Sequence, residues 1–120
     1  MSHSFGIENQ TRGRMLADNA QRAESFWSRL KGLLGRSGLE PGEALVFEPC
    51  TSIHMIGMRF PIDVIHLDRA GEVVRVVPNL KPNRLGPYVW RSRTVIELPA
   101  GVAEATETRE GDTLSIEAVA

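Results

Sequence analysis

The sequence predicts a mainly β domain: a small closed sheet, barrel-like or sandwich-like, with one N-terminal helix packed on it and short helical turns. Three observations carry this expectation. Beyond residue 40 the chain is punctuated every few residues by Gly or Pro, with short runs rich in Val, Ile and Thr between them, the pattern of strands joined by turns. Two of these runs, IDVIHL and EVVRVV, are joined by Asp68-Arg69-Ala70-Gly71, a hairpin-length link with glycine where a left-handed residue is wanted. Only residues 22–34 repeat apolar side chains at helical spacing. Closing the sheet would protect its edge strands from pairing with other chains.

Taken in order, residues 1–8 are polar and read as a disordered tail, which leaves one domain over residues 9–120. GRMLA (13–17) has the composition of a short first strand, and Asp18-Asn19 reads as the turn after it. From Arg22 to Leu34, the residues Ala23, Phe26, Trp27, Leu30, Leu33 and Leu34 share one helical face, and Gly35 offers a C-cap. Leu39 to Glu43 reads as a tight turn, Ala44 to Glu48 as a strand stopped by Pro49, and Ser52 to Met58 as another extended run. Ile62 to Leu67 and Glu72 to Val77 form the hairpin. Asn79 to Pro87, with two prolines and a glycine, reads as a long exposed loop. Tyr88 to Trp90 and Thr94 to Leu98 read as strands around a basic turn. A short helical segment ends near Thr108, Glu110-Gly111-Asp112 turns the chain, and Thr113 to Ala118 alternates as the last strand.

Composition narrows the function classes. A chain of 120 residues with 42% hydrophobic and 24% charged residues is ordinary for one globular domain. Its net charge of −1 gives no global pull toward nucleic acid or anionic lipid, so only local charge could serve such partners. One cysteine excludes an internal disulfide and a multi-thiolate zinc site. No apolar run reaches the roughly 18 residues of a membrane span. The N-terminus lacks a charged start followed by an apolar core, so no signal peptide is expected and cytoplasmic residence is the default. The sequon Asn9-Gln10-Thr11 is correspondingly read as carrying no glycan.

The run SIHMIGMRFPIDVIHLDRAGEVVRVVPNLKP, with VIELPAG and EGDTL downstream and FWSRLKGLLGR upstream, resembles domain of unknown function 192, also called uncharacterised protein family 0127. The resemblance covers nearly the whole chain. It implies a mainly β domain with small helices, and it implies no established activity. Many members of that family look exported, whereas this chain shows no signal segment.

Three constellations carry candidate chemistry. Cys50, His54, Met55 and Met58 supply thiolate, imidazole and thioether, the soft set that selects Cu(I). On a strand, Cys50, His54 and Met58 would share a face, and His66 on the neighbouring strand could complete the site. The same residue types also fill cores. Cys50 with His54, Asp63 and His66 could instead serve a cysteine-dependent enzyme, although no nucleophile motif accompanies them. Asp63 equally suits bonding to backbone groups at the strand entrance. The third constellation is basic and aromatic: Lys81, Arg84, Arg91 and Arg93 lie beside Tyr88 and Trp90 with no acidic residue among them. It suits an anionic or carbohydrate-like ligand or a protein partner; the alternative is a solvated loop whose charges offset the acidic C-terminal segment.

The reading that weighs these together is a non-enzymatic module, requiring no cofactor, that binds a small anionic ligand or a protein partner, not nucleic acid. Its surface would be formed where residues 50–60, Arg59 included, meet the 79–93 loop.

Overall fold

The computed structural model describes residues 4–23, 38–53 and 59–119. Its elements are β1 (Phe5–Asn9), β2 (Arg14–Arg22), β3 (Glu43–Phe47), β4 (Ile62–Leu67), β5 (Val73–Leu80), β6 (Thr94–Pro99), the one-turn helix α1 (Val102–Ala105) and β7 (Leu114–Ala118). The seven strands form one sheet in the order β5-β4-β6-β3-β2-β1-β7, curled into a half-barrel. All neighbours run antiparallel except β2 and β3, which are parallel. A parallel pair needs a long crossover, here residues 23–42. The helix expected over 22–34 falls in that crossover, and all but its first two residues lie outside the described ones. Of those two, Arg22 ends β2 and Ala23 follows it as coil, so the described residues do not bear the helix out.

The central strands explain the packing. Every residue of β4 is buried, and so are the first five of β6. Their side chains alternate between two faces. Ile65, Leu67, Ile96 and Leu98 join Ile7, Leu16, Val46, Val73 and Leu114 in the barrel interior. Ile62, Val64 and Val95 face the other way, where Phe47, Ile53 and Phe60 cover them. A strand buried on both faces reads as a near-continuous apolar run, which is why IDVIHL and TVIEL stand out in the sequence.

The expected full closure is corrected to a partial one. The edge strands meet only at one end, where Glu72 bridges Thr113 and the Val73 N–H donates to the Asp112 carbonyl at 2.8 Å. Beyond that seam α1 lies against β4 and β5 and adds Val102 to the interior. Gly71 sits in the seam at φ +85, and a Cβ there would come within 2.9 Å of the Leu114 carbonyl oxygen. That oxygen belongs to backbone held in the ladder, so it cannot move aside. Gly71→Ala is therefore expected to cost about 2 kcal/mol, read as a fall in Tm of several degrees; an unchanged Tm would show that the seam yields.

Other differences from the expected elements have local causes. The tail expected over 1–8 contains β1, because Phe5 to Asn9 pair with β2 on one side and β7 on the other and bury Ile7 completely. Asp18-Asn19 is strand and not turn, since both amides donate to the Gly42 carbonyl beside the parallel strand β3. β5 continues through Pro78 to Leu80, which an edge strand tolerates. Tyr88 to Trp90 is not a strand. Asn9 of the sequon is fully buried, and its amide donates to Thr108 Oγ1 and Asp112 Oδ2, which bars a glycan there. Arg12 grips the same Asp112 carboxylate with two nitrogens at 3.1 and 3.2 Å. Burial pushes the Asp112 carboxyl up, but bonds from Arg12, Asn9 and the Arg109 N–H, with the Arg12 charge, outweigh it and leave it below the usual range.

Candidate functional site

The chain between β5 and β6 is fixed to the segment after β3 by main-chain bonds. The Gly86 N–H donates to the Ile53 carbonyl at 2.9 Å, the Val89 N–H to Thr51 at 2.9 Å, and the Cys50 N–H to Arg93 at 3.0 Å. Residues 50–53 and 86–93 thus run side by side, so the two segments expected to meet do so in their described parts. Gly86 permits the approach: a Cβ there would lie 3.2 Å from the Ile53 carbonyl oxygen.

A buried polar relay anchors this loop from beneath. His66, fully buried on β4, contacts Ser92 Oγ through Nδ1 at 2.9 Å, and Ser92 Oγ lies 2.8 Å from the Cys50 carbonyl. A carbonyl can only accept, so the serine hydroxyl donates to it and the imidazole must donate from Nδ1. Nε2 is then an acceptor, buried and without a hydrogen-bond partner among the described residues. Burial, helped by the positive charge of Arg75 across the ladder, pushes His66 down from 6.5 to about 4, so the ring is neutral near pH 7.

The remaining expected site residues separate into three groups. Cys50 is half-buried, with its thiol 3.2 Å from the Ser52 carbonyl. His54, Met55 and Met58 lie outside the described residues; among those described, no group of three or more His, Cys, Asp or Glu side chains could hold a metal. His66 reaches Cys50 only through Ser92 and the Cys50 carbonyl, not through the thiol.

Asp63 is buried and spent on backbone. Its Oδ1 accepts from the Asn79 N–H at 2.9 Å, and its Oδ2 accepts from Gly101 and Ala103 at 3.0 and 2.9 Å. This is the backbone-bonding role its position at the strand entrance suggested.

Arg59, Lys81, Arg84, Tyr88, Trp90 and Arg91 are exposed, and all but Arg59 belong to one loop. Sequence reasoning passed over Leu85, Ser92 and Glu97. Leu85 is 71% exposed, beside Tyr88 at 72% and Trp90 at 76%. Leu85 could have been found as a lone large apolar residue in the polar stretch PNRLGP. Ser92 carries no sequence signal for its anchoring role. Glu97 is fully buried on β6, opposite Val64.

Among the described residues, the loop's ion pairing is confined to its base. Arg93 approaches Glu48 at 3.7 Å, and Glu48 also receives Arg22 at 3.6 Å and the Thr94 hydroxyl at 3.0 Å. Lys81, Arg84 and Arg91 make no ion pair among the described residues. They therefore do not offset the acidic C-terminal segment by direct pairing. Between the hairpin tip and the loop lies an open cleft of about 570 Å³, lined by Asp68, Arg69, Ala70, Glu72 and Trp90 to Arg93.

Comparison with known proteins places this geometry in a family. The family model DUF192, described as an uncharacterized ACR, matches residues 7–116. The chain belongs to the DUF192 family. Among curated DUF192-type relatives, a UPF0127 protein of Thermococcus gammatolerans is 34% identical over 117 residues, covering 91% of this chain and 73% of that protein. A UPF0127 protein of Pyrococcus furiosus is 32% identical over 112 residues, covering 88% and 93%. A crystal structure of a protein of unknown function from Novosphingobium aromaticivorans superposes with a TM-score of 0.76 at 20% identity, over 92% of this chain and 82% of the other. That likeness shows a shared fold. No helix among the described residues is long and apolar enough to cross a membrane.

Proposed function

We propose that this DUF192 protein is a non-enzymatic binding module whose working surface is the 81–93 loop together with the adjoining 50–53 segment, and that it takes an anionic ligand or partner. One observation carries the reading. Leu85, Tyr88 and Trp90 are each more than 70% exposed within six residues, flanked by the exposed cations Arg84 and Arg91. Folding has no use for three large apolar side chains held in water, whereas aromatic and Arg side chains are the residues that anchor interfaces.

The loop is also held in place before anything binds. Bonds from Gly86, Val89 and Cys50 fix its backbone, Ser92 ties it to His66, and Pro82 and Pro87 restrict its dihedrals. A surface already ordered loses less entropy on binding. The positive charge is local, because residues 73–96 contain no acidic side chain although the whole chain carries −1.

The test is fluorine NMR of protein carrying 5-fluorotryptophan, with Trp90→Phe assigning the Trp90 signal. Titration with a heparin oligosaccharide or polyglutamate is expected to move the Trp90 resonance, and Arg84→Gln with Arg91→Gln to weaken the effect roughly tenfold. A Trp90 signal that ignores both polyanions and a vesicle suspension would sink the reading.

A further inference from the structure

We infer that the 81–93 loop docks the protein on an anionic lipid surface, with Leu85, Tyr88 and Trp90 entering the headgroup layer and Lys81, Arg84 and Arg91 meeting lipid phosphates. The inference rests on the binding-module reading above and gives its partner a chemical class.

The shape of the surface favours lipid over protein. A protein hot spot sits at the centre of a patch of roughly 800 Å² per partner, ringed by further packing residues. Among the described residues, the large exposed apolar side chains on this loop are Leu85, Tyr88 and Trp90; the others, Met15 and Val119, lie on β2 and after β7. Leu85 and Tyr88 are exposed at 71% and 72%, and Trp90 at 76% borders only the open cleft beside the hairpin tip. Their side chains are held largely in water. An exposed apolar tip has no shape to match in a bilayer interface, which closes around it.

The chemistry of the tip agrees with that medium. Trp and Tyr carry an apolar ring with a polar edge and favour the headgroup level. Leu85 supplies purely apolar area for the layer beneath. Arg84 and Arg91 flank these side chains in sequence and can extend along the interface with their charged heads in the phosphate layer. Each cation near an anionic leaflet adds roughly a fivefold gain in binding. That attraction fades within a Debye length of about 8 Å, so the overall charge of −1 does not prevent a local basic tip from docking.

The loop is moreover the rigid kind of surface that can insert without first ordering. Ser92, next to Arg91, is fixed by His66 and the Cys50 carbonyl, and its N–H donates to Val89 at 2.9 Å. The position is also well placed in the chain: the loop follows β5, an edge strand of the sheet, and leads into central β6, so docking there leaves the sheet undisturbed.

The experiment is co-sedimentation of the full chain with two vesicle preparations, phosphatidylcholine alone and phosphatidylcholine mixed with phosphatidylglycerol, at low and physiological salt. In parallel, the Trp90 fluorine signal is followed with the same vesicles and with heparin. Binding to the anionic vesicles only, weakened roughly tenfold by Trp90→Ala and roughly twentyfold by Arg84→Gln with Arg91→Gln, supports the inference. All three positions are exposed, so these variants keep the fold. Failure to sediment while heparin still moves the Trp90 signal overturns lipid docking and leaves the binding module standing. Silence of Trp90 toward vesicles and heparin alike overturns both. Sedimentation of the variants as strong as wild type also overturns the inference, since the contact would then lie elsewhere.

Discussion

Asp63→Ala is expected to destabilise the protein by about 3–4 kcal/mol, near the upper end for a single substitution. The carboxylate is buried and accepts three main-chain N–H bonds, from Asn79, Gly101 and Ala103. Two of these donors sit at left-handed corners, Asn79 at φ 51 and Gly101 at φ 101. Asp63 therefore clamps the end of β5 and the start of α1 to β4 at once. Alanine would leave the buried Ala103 N–H and the part-buried Asn79 and Gly101 N–H groups without this acceptor, each at a cost of about 1 kcal/mol.

Asp63→Asn keeps one acceptor oxygen. It can satisfy the Gly101 and Ala103 amides while its own NH₂ faces the Asn79 N–H, so roughly half the loss is expected. Urea denaturation reads both variants as a lowered midpoint at constant slope. A loss below about 1 kcal/mol for alanine would mean that water replaces the carboxylate at these corners.

The second large effect is a loss of stability between pH 6.5 and pH 4, traceable to His66. The imidazole titrates near 6.5 when unfolded and at about 4 in the fold. Above 6.5 both states are neutral and the group contributes no pH dependence. Between the two values the unfolded chain binds a proton that the folded one refuses, so stability falls as pH falls. Below about 4 both states are protonated and the loss stops growing. Each pH unit is worth about 1.4 kcal/mol at most. Relaxation of the site toward solvent on protonation trims the total, and about 2 kcal/mol is expected.

His66→Phe removes the titrating group and should flatten that window, at the cost of about 1 kcal/mol for the lost Ser92 bond at neutral pH. The slope due to Asp112, whose carboxyl lies below its ordinary value, appears at lower pH and is retained in the variant. Its sign is the same: stability present above the unfolded carboxyl value is lost as pH falls through the folded one. Equal slopes between 6.5 and 4 in wild type and His66→Phe would show that the buried ring is not the source.

Much of this was legible from local pattern. The hairpin of β4 and β5 announced itself by two Val/Ile runs and Gly71, and Asp63 by a carboxylate at a strand entrance. β1 was not legible, because FGIEN holds only two apolar residues and its partners β2 and β7 are needed to bury Ile7. Tyr88-Val89-Trp90 has the residue types of a strand. It is not one in the fold, where the Val89 N–H bonds Thr51 while the two rings project into water. The clustering of basic and aromatic residues between 81 and 93 could be seen in the sequence, but their exposure could not.

By itself the sequence determined the β class, the position of the central strands and the family, since apolar period, turn residues and motif order are properties of contiguous residues. The tertiary structure alone decided that the sheet stops at a half-barrel, that His66 bonds Ser92, which in turn donates to the Cys50 carbonyl, and that the 81–93 loop is tied to residues 50–53 with Leu85, Tyr88 and Trp90 exposed. Each of these depends on pairing between residues 26 to more than 40 positions apart in sequence, as His66 with Ser92 and Ser92 with Cys50 illustrate. Burial and hydrogen-bond partnership are set by what the rest of the chain brings to a residue, and no local period records that.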